Sequence, residues 1–445
     1  MTDLAIRGGT VVLPGVFPIQ ADIAVEDGRI AAVAPELEGT AREEVDARGL
    51  HVLPGAIDAH VHFNEPGRAD WEGWASGTAA LAAGGTTACV EMPLNAHPPT
   101  VDGAAFDAKV EAAQRSAVVD FALWGGLVPG DLDRLDELAE RGVAGFKAFM
   151  CDTGIDDFAA ADDDTLGAGM ARAAALGLPV AVHAEHPARL TAPNGPGWRE
   201  WAASRPPEAE LEAIDRALAL ARETGCSLHV VHVSTGAGVA RVAEARARGV
   251  DATCETCPHY LTLAEEDMER LGTAAKCAPP LRPAAERDAL WEHLAAGRVA
   301  FVASDHSPCP PAMKAGGFDA AWGGIAGAQS TLALLLDEGH HRRGLPLAPL
   351  APLVTEAPAK RLGLPSPRLE PGADASLALV DLRAEHALRA EDLHDRHRAN
   401  PFTGRPSRAR VVRTLLRGRT VFADGRVTPE ARGRLLVPDR QRRQR

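Results

Sequence analysis

The amino-acid sequence predicts an α/β fold, a (β/α)8 TIM barrel with a small β-sandwich domain built from both chain ends. Between residues 54 and 364, eight short apolar runs alternate with alanine-rich amphipathic stretches. Strands that alternate with helices are typical of parallel pairing, and eight such units are typical of a closed barrel. Residues 1–53 and 365–445 instead alternate apolar and polar positions around hairpin turns. The length of 445 residues allows one large domain with a smaller companion.

The predicted elements follow one another closely along the chain. Barrel strands are expected to begin near Ile57, Thr86, Val118, Val143, Val180, Leu228, Asp251 and Val299. Barrel helices are expected over residues 75–83, 132–141, 164–176, 208–224 and 236–248. At the chain ends, the Asp-Gly pairs 27–28 and 424–425 predict hairpins, and further strands are expected over 375–380 and 411–416. Because both ends share this turn style, we expect them to fold together, with the barrel inserted between them.

Composition and charge argue against several classes of function. A net charge of -14 and a pI near 5.6 argue against nucleic-acid binding. The sequence shows neither a signal peptide nor an apolar run long enough to span a bilayer, so no membrane association is expected. Seven cysteines without a secretory signal predict reduced thiols and a cytoplasmic location. The Cys254-x-x-Cys257 pair fits a redox motif or half of a zinc ribbon, but its strand-like surroundings favour buried, inert thiols.

Two histidines close the first predicted strand of the barrel. His60 and His62 are two residues apart, so their side chains project to one face of a strand. Such a pair alone is more often two core or surface histidines than a metal site. Other predicted strands also end in polar residues, and the full candidate set is His60, His62, Lys147, His183, His232 and Asp305. Because the carboxyl ends of barrel strands share one rim, we expect these six side chains to converge on metal.

Lys147 is the most informative member of this set. It lies among Phe146, Phe149 and Met150, and burial there would depress its pKa because desolvation disfavours the ammonium. A snorkelling surface lysine, or a partner for a buried carboxylate, is the alternative interpretation. A neutral amine can react with CO2 to give a carbamate, whose two oxygens and negative charge suit a bridge between two cations.

Several motifs resemble those of a known enzyme family. They are residues 60–67, 145–147, 182–185 and 304–307, and, further, residues 64–68, 71–73, 91–95, 254–260, 307–311 and 321–325. The first group resembles the cyclic-amide hydrolases of the amidohydrolase superfamily, which include dihydroorotases, hydantoinases (dihydropyrimidinases) and allantoinases. The second group is most similar to the allantoinase branch. The resemblance spans nearly the whole chain.

The resemblance implies a metal-dependent hydrolase that opens the cyclic amide of allantoin to give allantoate. Two divalent ions, with zinc expected, would hold the attacking hydroxide. His60, His62 and Asp305 would bind one ion, His183 and His232 the other, and a CO2-derived carbamate on Lys147 would bridge them. Asp305 would also carry the proton from the nucleophile to the leaving nitrogen. The substrate would be a small ureide, and the enzyme a homo-oligomer, expected to be a tetramer.

The resemblance also implies where the substrate binds. Main-chain groups near Ala278 and Trp322 would hold the ring, and Asn95 and Ser307 would contribute to a ureido pocket, although loop capping is an equal alternative for these two. His229 lies three positions before His232, so we expect it to point elsewhere as a packed, hydrogen-bonded histidine.

Departures from the family pattern define the alternatives. Dihydroorotases have an arginine where this chain has Asn64, which argues against that activity. Hydantoinases have an oxyanion-stabilising tyrosine where this chain has Asp152, and its only tyrosine is Tyr260. A hydantoinase or dihydropyrimidinase acting on another cyclic amide is the nearer alternative function. A non-catalytic scaffold is the more distant one, because such relatives typically lose metal ligands and this chain keeps all six candidates.

Overall fold

The computed structural model describes residues 2–13, 15–130, 132–383, 385–428 and 433–439. In these residues the strands are β1 (Thr2–Val11), β2 (Ile19–Glu26), β3 (Arg29–Ala34), β4 (Ala41–Asp46), β5 (His51–Pro54), β6 (Ala56–Val61), β7 (Thr86–Glu91), β8 (Asp120–Leu123), β9 (Gly125–Gly126), β10 (Phe146–Phe149), β11 (Val180–His183), β12 (Leu228–Val230), β13 (Ala252–Thr256), β14 (Phe301–Val302), β15 (Leu377–Asp381), β16 (His386–Ala387), β17 (Pro406–Ser407), β18 (Arg410–Leu416), β19 (Arg419–Ala423) and β20 (Arg426–Val427).

The helices alternate with strands mainly in the middle of the chain. They are α1 (Trp74–Ala83), α2 (Gly103–Ser116), α3 (Asp133–Arg141), α4 (Asp163–Leu176), α5 (Trp198–Ser204), α6 (Pro207–Thr224), α7 (Gly236–Ala247), α8 (Pro258–Thr262), α9 (Asp267–Leu271), α10 (Ala284–Ala295), α11 (Thr331–Leu336), α12 (Leu347–Leu350) and α13 (Glu356–Leu362). None of these helices, in the described part of the chain, is both long and apolar enough to cross a membrane.

The middle of the chain forms two parallel sheets. One has the order β14-β13-β12-β11-β10-β9 and the other β6-β7-β8. Each predicted strand start lies within three residues of an observed strand, and the five predicted helices correspond to α1, α3, α4, α6 and α7. The predicted alternation of strands and helices is therefore confirmed. Backbone hydrogen bonds join the two sheets at both edges, from Ala144 N to Leu123 O at 2.8 Å and from His62 N to His306 O at 2.7 Å.

Local sequence explains where several helices start and stop. Asp102 and Asp162 cap α2 and α4, because each carboxylate accepts a hydrogen bond at 2.9 Å from a backbone amide three residues later. Gly142 and Gly177 follow α3 and α4 with φ values of 90° and 67°. Only glycine adopts this left-handed conformation readily, so these positions end their helices. The helices that end at these glycines directly precede β10 and β11, the strands that contain Lys147 and His183.

The strands of the two chain ends belong to one sheet. Its order is β20-β19-β18-β15-β5-β1-β2-β3, with β4 paired to β1. The first part of β1 pairs with β4 and its last two residues pair with β5, so β1 joins two parts of the sheet. Ile6 and Ile23 from the beginning of the chain share an apolar cluster with Leu377 and Leu415. The sandwich packing and the domain boundaries at 53/54 and 364/365 stay predictions.

The last described segment returns to the parallel sheets. Leu436 N donates to Phe121 O at 2.7 Å, and Arg434 N donates to the Asp120 carboxylate at 2.8 Å. The sequence assigned residues 433–439 to the β-rich unit, whereas the backbone of residues 433–436 lies along β8 and Asp439 N donates to Gly363 O at 2.8 Å. The reason is that Phe121 and Asp120 supply backbone and carboxylate hydrogen-bond partners for this segment. Residues 440–445, also included in the predicted β-rich unit, lie outside the described residues.

A buried ion pair supports the end of β6. Lys109 and Glu91 are both fully buried, and the Lys109 ammonium donates to Glu91 Oε2 and, at 2.8 Å, to Met92 O. The other oxygen of Glu91 accepts a hydrogen bond at 3.1 Å from Phe63 N, directly after His62. Burial raises the pKa of Glu91 to about 7, although Lys109 opposes this rise. The pair therefore ties α2 to the strand end that carries two candidate ligands.

We expect Lys109→Met to destabilise the fold by roughly 3–5 kcal/mol, because the substitution leaves a buried carboxylate without its cation. Urea unfolding measures this change in the free energy of unfolding. The double variant Lys109→Met/Glu91→Gln should recover part of the loss, because neither charge then remains buried alone. Lys360→Met, at an exposed position of α13, is the matched control and should shift stability by less than about 0.5 kcal/mol. Equal stability of Lys109→Met and wild type would contradict the role of the pair.

Candidate metal centre

The first group of candidate ligands lies between the ends of β6 and β14. Asp305 Oδ1 is 3.1 Å from His60 Nε2 and 3.5 Å from His62 Nε2. One ligand atom from each of the three residues lies within 4.8 Å of the others. Both imidazoles are buried, and the Asp305 side chain is 13% exposed. Although burial opposes ionisation, His60 and His62 hold the pKa of Asp305 well below its usual range, so its carboxylate is charged at neutral pH.

The second group lies at the ends of β11 and β12. His183 Nδ1 is 3.0 Å from His232 Nε2, and the ring of His183 stacks on Phe149 with centroids 4.5 Å apart. The rings of His60 and His232 are 5.5 Å apart, so the two groups are neighbours. The structure therefore brings together the histidines that the sequence placed at separate strand ends.

Lys147 is fully buried in β10, which pairs with β11 so that Phe149 is opposite His183. Within the described residues, its Nζ has no hydrogen-bond partner, and it lies 4.9 Å from the centroid of the Phe149 ring. Burial lowers the pKa of Lys147 to about 7, while the charge of Asp305 partly opposes this fall. Burial of an amine without a hydrogen-bond partner is unfavourable in free energy. The burial of Lys147 confirms the expectation that this lysine does not reach solvent.

The protonation of these groups suits a cation. Burial lowers the pKa of His62 to about 4 and that of His232 well below its ordinary value. Both imidazoles are therefore neutral at pH 7 and present lone pairs, as metal ligation requires. Imidazole nitrogens with one carboxylate are a donor set that suits zinc. The residues present fit the predicted pair of divalent ions, and their roles as ligands stay a prediction.

A carboxylate that the sequence analysis missed orients His60. Glu255 Oε1 is 2.6 Å from His60 Nδ1, and Glu255 Oε2 is 3.1 Å from His229 Nε2. His229 Nδ1 in turn lies 2.8 Å from the hydroxyl of Thr253. Because a carboxylate only accepts, the Nδ1 position of His60 donates to Glu255, and Nε2 is the ring atom that faces Asp305. His229 is a packed, hydrogen-bonded histidine, as predicted, but the expectation that it points elsewhere is wrong, because it shares Glu255 with His60.

A second missed carboxylate orients His183. Glu185 Oε2 is 2.7 Å from His183 Nε2, and Arg205 donates to the same oxygen at 2.5 Å. Although burial opposes ionisation, Arg205 and His183 lower the pKa of Glu185 to about 2. His183 therefore keeps a proton on Nε2 and turns the Nδ1 lone pair toward His232. A glutamate two residues after a strand-ending histidine was the available signal for this contact.

Four residues near the site have left-handed backbone conformations. The φ values are 65° at Asn64, 70° at Asn95, 40° at His232 and 47° at Asp305. Non-glycine residues adopt this region at a cost of roughly 1–3 kcal/mol each, and such residues cluster at functional sites. At His232 and Asp305 the unusual backbone sets the direction of two candidate ligands.

Of the four predicted substrate contacts, one side chain directly contacts a candidate ligand. Asn95 Nδ2 is 3.4 Å from His62 Nδ1, so this side chain contacts a candidate ligand. Ser307 N donates to Ile325 O at 3.0 Å, and the Trp322 ring packs edge-on against Trp71, with centroids 4.9 Å apart. Ala278 precedes Pro279 across a cis peptide bond.

The chain's single tyrosine does not replace the oxyanion-stabilising tyrosine of hydantoinases. Tyr260 is buried, and its hydroxyl donates to Pro279 O at 2.5 Å. Asp152, at the position of the hydantoinase tyrosine, is exposed.

Cys254 and Cys257 are buried free thiols, and burial raises the pKa of Cys254 to about 12. The prediction of buried, unreactive thiols is confirmed.

Glu255→Gln should weaken zinc binding by about 10–100-fold, because an amide in this place forces one of the two histidines into the wrong tautomer. Competition with a chromogenic chelator measures this affinity. Glu266→Gln, at an exposed position, is the matched control and should bind zinc like wild type. Unchanged zinc affinity in Glu255→Gln would show that Glu255 does not orient His60 for metal binding.

Comparison with known proteins gives a consistent result over the whole chain. Residues 51–421 match the model of the amidohydrolase family. The chain is 63% identical over 452 residues to an allantoinase of Rubrobacter xylanophilus, covering 100% of this chain and 99% of the relative. It is 53% identical to an allantoinase of Solibacter usitatus, covering 98% and 97%. The structure matches L-hydantoinase (dihydropyrimidinase) from Arthrobacter aurescens with a TM-score of 0.94 and 33% identity, covering 98% and 100%. The chain belongs to the amidohydrolase family.

Proposed function

We propose that this protein hydrolyses the cyclic amide of allantoin to give allantoate. The single observation that carries the proposal is the buried convergence of His60, His62 and Asp305 with His183 and His232. Full-length relatives at 63% and 53% identity bear the name allantoinase, and this similarity supports the choice of substrate.

The chain's donors would hold two divalent ions, zinc being the expected metal. His60, His62 and Asp305 would hold one ion, and His183 and His232 the other. When bound, the ions would polarise the ring carbonyl and lower the pKa of a water molecule toward neutrality. The buried rings around this position exclude bulk water and strengthen these electrostatic effects.

Lys147 would complete the centre as a carbamate. Its neutral Nζ forms a bond to the carbon of CO2 and releases one proton, which leaves a carboxylate on the lysine. A pKa of about 7 keeps a substantial fraction of this amine neutral at physiological pH. The absence of a hydrogen-bond partner for Nζ within the described residues supports a bridging role.

Asp305 would carry the proton during hydrolysis. Its ionised carboxylate accepts a proton from the attacking water and delivers it to the ring nitrogen as the C–N bond breaks. His60 and His62 keep this carboxylate charged before the reaction. Asn95, Ala278, Ser307 and Trp322 would contact the ureide, with the main chain near Ala278 and Trp322 holding the ring.

The proposal includes the barrel architecture, the oligomeric state and the location of the enzyme in the cell. Hydrogen bonds at both edges of the parallel sheets, together with the L-hydantoinase similarity, support a closed (β/α)8 barrel beside the β-rich unit. A homotetramer and a cytoplasmic location also stay predictions.

A hydantoinase or dihydropyrimidinase is the alternative function, and the fold similarity to L-hydantoinase favours it. Asp152, in place of the hydantoinase tyrosine, argues against it. We expect kcat/KM for allantoin to exceed that for hydantoin and for dihydrouracil by at least about tenfold, because a site that binds the ureido group rejects rings without it. Chromatographic detection of the ring-opened acids measures the three rates. A preference for hydantoin or dihydrouracil would favour the alternative, and chelator-treated enzyme is the control.

Lys147→Ala should lower activity on allantoin by more than about a hundredfold, because the bridging oxygens are lost. Short-chain carboxylic acids should restore part of the activity by entering the space that the side chain leaves. Lys360→Ala, at an exposed position, controls for the loss of a lysine. Full activity of Lys147→Ala without added acid would exclude the bridge.

A further inference from the structure

One lysine outside the metal centre binds three carbonyl groups. Lys314 Nζ donates to Trp322 O at 2.9 Å, to Gly324 O at 2.6 Å and to Thr273 O at 3.0 Å. Burial lowers the pKa of Lys314 to about 8, so the amine is mainly an ammonium at pH 7. An ammonium has three hydrogens, which matches the three carbonyl acceptors. The Thr273 hydroxyl donates back to Lys314 O at 2.6 Å, so the two segments are joined twice.

A second lysine binds the same loop from another direction. Lys276 is 4% exposed, and its Nζ donates to Ala321 O at 2.5 Å. The same ammonium lies 4.1 Å from the centroid of the Trp201 ring, where a cation is attracted to the aromatic face. Lys276 and Lys314 thus bind the carbonyls of residues 321, 322 and 324. We call the two lysines and this loop, residues 321–324, the lysine clamp.

The lysine clamp connects three of the four expected substrate contacts. Trp322 lies within the loop, and Ala278 follows Lys276 by two residues. Ser307 contacts the end of the loop, because a Cβ added to Gly324 would lie 2.3 Å from Ser307 O. Ser307 follows Asp305 by two residues, so the loop is held at the rim of the metal centre.

We propose that Lys276 and Lys314 are positioning residues for substrate binding. They fix the main chain of the 321–324 loop, and this loop forms one wall for the substrate ring. The inference rests on the proposed function, because that function supplies the ring. Charge-assisted hydrogen bonds to carbonyls hold a loop more firmly than neutral ones, and the lysines donate to carbonyls rather than to candidate metal ligands. The clamp therefore acts on KM and leaves the metal centre unchanged.

The test compares Lys314→Met with Lys360→Met in the zinc-loaded enzyme. Lys314→Met should raise KM for allantoin by about tenfold or more, the loss of binding expected for charged hydrogen bonds. The value of kcat should change by less than about threefold, and zinc content should equal that of wild type. Hydrogen–deuterium exchange should become faster in the 318–325 segment, with little change at the ends of β6 and β11. Lys360→Met should match wild type in every measurement.

Thr273→Val is the second variant if Lys314→Met fails to fold. It removes the hydroxyl that holds Lys314 O and should raise KM in the same direction by a smaller factor. A fall in kcat at unchanged KM, or unchanged KM and unchanged exchange in the loop, would overturn the proposal. Hydantoin is assayed in parallel. If the wild-type enzyme opens hydantoin but not allantoin, the proposed substrate is refuted, and the clamp is still tested by the KM of Lys314→Met for hydantoin. If the wild-type enzyme opens neither ring, the proposed function fails and the role of the lysines in substrate binding is rejected with it.

Discussion

The candidate metal centre depends on one constraint: its basic side chains are buried away from water. Lys147, His183 and His232 are buried where the charged forms of lysine and histidine are unfavourable. Burial therefore favours their neutral forms, each of which has a lone pair on nitrogen, and Asp305 supplies a negative charge beside them. Such an arrangement is costly in a fold that binds no cation, because each neutral donor has given up its hydrogen bonds to water. A divalent ion satisfies several of these donors at once, which is why their burial is informative.

Buried carboxylates behind the histidines convert this cluster into a defined geometry. Glu255 and Glu185 each fix the tautomer of one imidazole, and Glu91 holds the backbone after His62 through Phe63 N. Each buried carboxylate also has a further hydrogen-bond partner: His229 for Glu255, Arg205 for Glu185 and Lys109 for Glu91. The orientation of the candidate ligands is therefore determined by neighbouring strands and helices rather than by the ligands themselves.

The sequence predicted the strands and the six inward-facing groups because both leave local signals. Apolar runs mark the strands, and a polar residue at the end of an apolar run marks a rim position, as with His183 after residues 180–182. Glu185 had a local signal that was overlooked, whereas Glu255 was not predicted because its role depends on which strands become neighbours. Glu255 reaches His60 only because β13 and β6 approach the same interior, and they are almost 200 positions apart. The backbone pairing of residues 433–436 with β8 was missed for the same reason.

The placement of the lysine clamp separates two tasks along the chain. The candidate metal ligands stand at the ends of strands or just after them, and parallel pairing holds Lys147 on both sides and His183 on one. The proposed wall for the substrate stands on a loop without such pairing, and Lys276 and Lys314 supply hydrogen bonds that a sheet would otherwise provide. Loops tolerate changes in sequence better than strands do. If the substrate wall is this loop, as proposed, we expect changes in the loop to alter which ring fits while the candidate ligands stay the same.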